Sequence, residues 1–125
     1  MSTDKKKRLF INFSNHPSVG WGKEQMTQAK RYGQVVDLPF PPVDPLMPSE
    51  QVRSLAEECV KAILDMGDPA TMTVHVMGEM TLVFHVVTSL LKQGVHCVAS
   101  TTERIATEAD FTKVSEFRFV TFRDY

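Results

Sequence analysis

Three short stretches hold most of the residues that could do chemistry: Ser14-Asn15-His16, Gly78-Glu79-Met80-Thr81 and Ser100-Thr101-Thr102-Glu103-Arg104. Histidine titrates near neutrality, so His16 can take a proton from a ribose hydroxyl or give one to a leaving oxygen. It equally suits a turn with Asn15 and Pro17. Arginine can bind a phosphate through two parallel hydrogen bonds. Arg104 is therefore an anion-binding candidate, with the hydroxyls of Thr101 and Thr102 to complete the shell, or else one half of a weak surface pair with Glu103. Gly78 sits where a strand turns abruptly into a helix. The first amides of a helix lack internal partners and suit an anion, and a glycine lets a ligand reach them. Thr81 adds a hydroxyl. Glu79 cuts both ways: it favours the helix start and repels an anion. The plainer reading is a tight turn at Gly78 and a cap at Glu79.

Other candidates are more ambiguous. Trp21, between Gly20 and Gly22, can stack on a base, sit at a protein interface or staple the next helix to the core. His75 and His96 lie inside strands and His85 inside an apolar helix. They read as packed, hydrogen-bonded residues rather than ligands. No Cys/His spacing resembles a zinc site. A full GxGxxG fingerprint and a Walker loop are also missing, so neither metal nor cofactor is expected.

The elements that must position these residues follow from pattern. Arg8 to Asn15 is a first strand, apolar on both faces as in the centre of a covered sheet. Lys23 to Tyr32 is a helix stopped by Gly33. Gln34 to Phe40 is a second strand, ended by Pro39, Pro41, Pro42 and Pro45. A helix capped by Ser49 then runs to about Met66, with an apolar face from Val52 to Leu64. The stretch Thr73 to Gly94 supplies a third strand and a third helix. Val95 to Thr101 is a fourth strand. Thr102 to Val114 reads as polar and irregular. Phe117, Phe119 and Phe122 mark a last strand suited to an edge, with antiparallel pairing open to it.

Alternating strands and helices form a parallel sheet with helices on both faces, joined by right-handed crossovers. The expected fold is a Rossmann-like α/β three-layer sandwich in one domain over 1–125, with residues 1–7 a basic tail. Ligands of such sheets bind beyond the carboxyl ends of the strands. The loops after all four parallel strands should converge there, at Ser14 to Trp21, Pro39 to Val43, Gly78 to Thr81 and Ser100 to Arg104.

With 125 residues and 42% hydrophobic content, the chain can bury a core of its own. A formal net charge of −1 argues against a duplex nucleic-acid coat. No apolar run approaches a membrane span, and no secretory signal opens the chain, so a cytoplasmic protein with free Cys59 and Cys97 is expected. The third helix is apolar almost all round, at Leu82, Val83, Phe84, Val86, Val87, Leu90 and Leu91. That implies burial on more than one side, and hence a homodimer.

The stretches LFINFSNHPS, WGKEQ, VVDLPFPPVDP, VHVMGEMTLVFHVV, CVASTTER and FVTFRDY together resemble a family of small CRISPR-associated proteins. These are stand-alone, Rossmann-like relatives of CARF domains and ring nucleases. The resemblance spans nearly the whole chain. It implies a dimer that binds a cyclic oligoadenylate messenger, usually cyclic tetra-adenylate, in type III CRISPR defence. It further implies metal-independent cleavage, in which a ribose 2′-hydroxyl attacks the adjacent phosphate and leaves a 2′,3′-cyclic phosphate, or else sequestration or sensing. Carried onto this chain, the site comprises Ser14, Asn15 and His16, then Gly78, Glu79, Met80 and Thr81, then Thr101, Thr102, Glu103 and Arg104. In the cleavage version His16 and Arg104 are catalytic, and Ser14, Asn15 and Trp21 position ribose and base. Two carboxylates and no lysine stand in those loops, Lys23 being the nearest. A different class is a small-molecule α/β enzyme, such as a nucleoside or sugar-phosphate transferase, using Glu79. A third is an interaction module with the aromatic C-terminus as its contact.

Overall fold

A computed structural model describes residues 7–109 and 112–125, with side chains described outside 106–115. The elements in chain order are β1 (Leu9–Ser14), α1 (Lys23–Tyr32), β2 (Gln34–Asp37), α2 (Ser49–Leu64), β3 (Met72–Met77), α3 (Met80–Lys92), β4 (His96–Ala109) and β5 (Thr112–Asp124). The five strands form one sheet in the order β2-β1-β3-β4-β5. The first four run parallel and β5 pairs antiparallel with β4. This is the expected α/β architecture, and the antiparallel last strand is part of it. The basic tail, apart from Lys7, lies outside the described residues.

β1 and β3 occupy the middle of the sheet, and both are buried almost throughout. That is why they read as apolar runs. α2 and α3 cover one face, where Val52, Ala56, Val60, Ile63, Leu82, Val86 and Leu90 pack on Ile11, Phe13, Val74, Val76 and Cys97. Burial of a side chain such as Ile63 or Leu82 is worth roughly 1.5–3 kcal/mol. α1 covers the other face, where Phe10, Ala29, Val98 and Phe122 form a smaller cluster with Trp21 and Tyr32. α1 carries Glu24 in its first turn and Lys30 and Arg31 in its last, matching its dipole. Gly33 then lets the chain fold back against β1. Its φ is 156°, and a Cβ there would lie 2.5 Å from the carbonyl of Arg8. That carbonyl accepts a bond from the Gln34 amide at 2.9 Å, which starts the β1–β2 pairing.

Three boundaries differ clearly from expectation. β2 ends at Asp37 rather than running to Phe40. Pro48, not Ser49, occupies the cap position of α2, and no side chain caps that end. The largest difference is at the C-terminus. β4 does not stop at Thr101 but runs to Ala109, and with β5 it replaces the expected irregular segment by a long hairpin. β4 pairs with β3 only at His96, Cys97 and Val98, whereas its pairing with β5 extends to Ala109↔Thr112, with a register shift between Thr101 and Thr102. The part from Ala99 to Ala109 is about 30 Å of ribbon. Ser100 to Arg104 therefore belongs to a strand, not to a loop. The chain end is fixed to the sheet: the Tyr125 amide donates to the Cys97 carbonyl at 3.1 Å and its hydroxyl to the Val76 carbonyl at 2.6 Å.

Candidate functional site

Side chains alternate across a strand, and the register decides which neighbours share a face. Asn12 pairs with His75, and His75 with Val98. Phe10, Asn12 and Ser14 thus share the α1 face with Thr73, His75 and Met77, and with Val98 and Ser100. The buried polar residues among those described are Asn12, Ser14, Thr73 and His75. All four lie on that face. A buried polar group needs a partner, so each must find one. Thr73 finds His96 Nδ1 at 3.0 Å, and the other three are linked to each other and to residues at the edge.

These three close into a directed chain. The Asn12 amide nitrogen donates to the His16 carbonyl at 2.9 Å and to Asp37 Oδ1 at 2.9 Å. Both are acceptors, which fixes the orientation of the amide. Asn12 Oδ1 then accepts from the Ser14 hydroxyl at 2.7 Å and faces His75 Nδ1 at 2.9 Å. Nδ1 must therefore carry the imidazole proton. In a neutral ring Nε2 is then bare, and it accepts the Ser100 hydroxyl at 2.6 Å. The Gln25 amide donates to Ser100 Oγ at 3.3 Å. Asp37 is held in turn by the amide and hydroxyl of Ser18. Burial, and then repulsion from His16, push the His75 pKa down to about 4. The ring stays neutral near pH 7 and the direction of the chain holds.

His75 and Ser100 form the floor of an open cavity of about 470 Å³ at the carboxyl edge of the parallel strands. Its remaining walls come from His16 and Trp21 after β1, Gln25 in the first turn of α1, Met77 at the end of β3, Thr102 on β4, and Phe117 and Phe119 on β5. The volume falls in the range of small-molecule sites. Trp21 stands edge-on to Phe10, with centroids 6.1 Å apart, and to His75 at 5.6 Å. It therefore anchors the loop and lines the cavity at once. Its indole nitrogen is buried with no hydrogen-bond partner. Thr102 pairs with Phe119 and Arg104 with Phe117. Directly paired residues share a face, so Arg104 continues the cavity face one step outward along β4.

The remaining candidates fall elsewhere. Ser14 and Asn15 line a neighbouring hollow with Asn12, Pro17, Asp37, Pro39 and Phe40. Ser14 backs the cavity through Asn12 rather than lining it. The Thr101 hydroxyl is occupied with the backbone of Thr121. Gly78, Glu79, Met80 and Thr81 do not join Arg104. Glu79 and Thr81 line a cavity of about 520 Å³ between α2, α3 and the proline segment, together with Asp44, Arg53 and His85. The Glu79 carboxylate accepts from the amides of Thr81 and Leu82 at 3.0 and 2.9 Å, and from the Thr81 hydroxyl. The amides expected to meet a phosphate are thus taken by the protein's own carboxylate. Those bonds, the Thr81 hydroxyl first, lower the Glu79 pKa. Gly78 answers to packing: a Cβ there would lie 2.6 Å from the ring of Phe40. Met80 is 81% exposed.

Sequence reasoning missed His75, Asn12, Gln25 and the aromatic wall of β5, and took Ser100 only as one of three hydroxyls. The signal was the alternation itself, with polar residues at 12 and 14, at 73 and 75, and at 100 and 102. Among the described residues, no group of three His, Cys, Asp or Glu side chains could hold a metal ion. Cys59 and Cys97 are buried and unbridged. Burial pushes the Cys97 thiol up to about 12, so it is not a nucleophile.

Fold and cavity define an open-sheet α/β domain with a polar, aromatic-walled hollow where its parallel strands end. The chain belongs to the uncharacterized protein MJ1673 family, whose model matches residues 8–123. No curated protein and no solved structure matches it. Among the described residues no helix is long and apolar enough to cross a membrane.

Proposed function

We propose that this protein binds a cyclic oligoadenylate second messenger of type III CRISPR defence, most simply cyclic tetra-adenylate, and ends its signal as a ring nuclease or by sequestration. One observation carries the reading beyond the resemblance: His16, the Ser100–His75 pair and the aromatic surfaces of Trp21, Phe117 and Phe119 meet in a single hollow at the carboxyl edge. Aromatic faces accept a base, and an imidazole beside them can move a proton. A ring of four nucleotides exceeds the hollow, so the cavity takes one adenylate step and the rest of the ring lies across its mouth. In this reading Arg104, on the same face of β4, contributes its charge to a phosphate of the ring.

In the cleavage version the ribose 2′-oxygen bonds to the adjacent phosphorus and the bond from phosphorus to the 5′-oxygen breaks. The 2′-hydroxyl proton leaves to a base, and the departing 5′-oxygen takes up a proton. His16 serves as one of these two groups. The product is one linear strand that ends in a 2′,3′-cyclic phosphate on one side and a 5′-hydroxyl on the other.

The reading also includes a cytoplasmic homodimer with neither duplex nucleic acid nor membrane as partner. Met80, Phe84 and Leu91 fall on one stripe of α3 and are 81%, 64% and 46% exposed, which suits a second copy. A monodisperse monomer at micromolar concentration, seen by light scattering, would remove the dimer.

The decisive experiment incubates the protein with cyclic tetra-adenylate in EDTA and looks for linear products. Cleavage that His16→Ala slows at least tenfold is the expected result. Binding without products leaves sequestration standing and removes the nuclease. Absence of binding removes both. The 520 Å³ cavity holding Glu79, Asp44, Arg53 and His85 supports the second reading, a small-molecule α/β enzyme. The capping bonds of Glu79 weigh against it.

A further inference from the structure

We infer that Ser100 is the residue that reads the sugar, its oxygen accepting the 2′-hydroxyl of the bound adenylate step. This rests on the cyclic oligoadenylate reading and assigns that site a specificity-determining contact.

The direction of the buried chain decides the matter. Asn12 donates to Asp37 and to the His16 carbonyl, so its oxygen is left for His75 Nδ1 and Ser14. His75 Nε2 then has no proton and takes the one on Ser100. A hydroxyl has one proton and two lone pairs. With the proton committed inward, Ser100 offers only lone pairs to the cavity. Gln25 uses one of them through a contact of 3.3 Å. The other requires a donor. Ser100 and Thr102 share the cavity with His16, and the floor is a neutral imidazole rather than a cation. A phosphate oxygen, which can only accept, gains nothing from Ser100.

An adenylate ring carries two kinds of donor, the ribose 2′-hydroxyl and the adenine amine. The hydroxyl is the better match. Trp21, Phe117 and Phe119 supply surface for the base, whereas Ser100 lies on the floor beside the imidazole pair, where sugar and phosphate would sit next to His16. Accepting the 2′-hydroxyl proton fixes the sugar in the bound state; that hydroxyl has a single proton, so in the cleavage version it turns from Ser100 to the base as the reaction begins. Ser100 thus acts as a positioning group, and the buried His75 moves no proton.

The test compares cyclic tetra-adenylate with two analogues, the ring of 2′-deoxyadenylates and the ring of purine ribonucleotides that lacks the adenine amines. Wild-type protein should bind the ribose ring about tenfold more tightly than the deoxyribose ring, one well-made hydrogen bond. Ser100→Ala should bring that ratio close to one, and Ser100→Thr, which keeps a hydroxyl, should preserve it. Unchanged circular dichroism checks the fold of each variant, and because the readout is a ratio, a general loss of affinity cannot imitate the effect. A full preference for ribose in Ser100→Ala overturns the inference. So does a loss of affinity that follows the adenine amine instead of the 2′-hydroxyl. Failure of the wild type to bind any of the three rings overturns the underlying reading and this inference with it, whereas equal binding of ribose and deoxyribose rings overturns this inference alone.

Discussion

Toward α2 and α3, the central strands present Ile11, Phe13, Val74, Val76 and Cys97. Toward α1, the same strands present Asn12, Ser14, Thr73 and His75, almost as deeply buried. Each strand therefore carries two programmes, one on odd and one on even positions, set out of phase between β1 and β3 by their register. The apolar side needs only volume, and burial without direction tolerates rearrangement. The polar side needs a particular donor facing a particular acceptor at every step, because an orphaned group inside is costly. Two layers of comparable depth thus differ in what they determine. The apolar layer holds the sheet to its helices, and the polar layer fixes which atoms reach the cavity and in which protonation state.

The largest expected effect breaks the polar layer at its centre. Asn12→Ala leaves His75 Nδ1 without its acceptor and should cost about 3 kcal/mol in urea unfolding. Val76→Ala on the apolar side should cost a similar amount, roughly 2–3 kcal/mol, by leaving a void. The difference lies in the second substitution. Adding His75→Phe to Asn12→Ala removes the orphaned donor and should restore part of the loss, so the pair is strongly non-additive. If the two substitutions simply add, the buried chain is not the coupled unit its geometry describes.

The next effect separates the layers by pH. The His75 pKa falls from an ordinary 6.5 to about 4 on folding. The unfolded chain thus binds the proton more readily, and stability is lost as pH drops from 6.5 toward 4. The slope is about 1.4 kcal/mol per unit and the total on the order of 3 kcal/mol. His75→Phe should lack this component. Denaturant unfolding at pH 7, 6 and 5 provides the comparison, and parallel curves for variant and wild type would contradict it.

These contrasts also explain what could be read beforehand. α1 was legible to the residue, because Lys23 to Tyr32 ends in a glycine whose position leaves no room for a Cβ. The parallel strands were legible because double-sided burial writes apolar runs. β4 beyond Thr101 was not, because a ribbon paired to one neighbour and lying off the core has no apolar face to display. Its partner is also distant in sequence, and strand pairing leaves little local trace. At the site, His16, Trp21 and Thr102 were found from loop position. His75 reads as a packed histidine, and it is one, only 2% exposed. Its second nitrogen reaches the cavity floor, which depends on a register between three strands that no single stretch contains.

The smallest effect tests whether the two sides are functionally separate. Glu79→Ala removes the carboxylate that closes the start of α3, a cap worth about 1 kcal/mol. Because hydrogen bonds from Thr81 and Leu82 lower the Glu79 pKa, its contribution is present above the ordinary carboxylate range and lost as pH falls through the lowered value. The Glu79 side chain opens on the cavity between α2 and α3, with Arg53 and His85, whereas Arg104 continues the cavity face on the α1 side. Titration of Glu79→Ala with cyclic tetra-adenylate should therefore give the wild-type affinity despite the lower stability, and Arg104→Ala should weaken it. The opposite pattern, an activity abolished by Glu79→Gln and spared by Arg104→Ala, would transfer the chemistry to the α2 and α3 side. The carboxylate would then be a reacting group that happens to cap a helix.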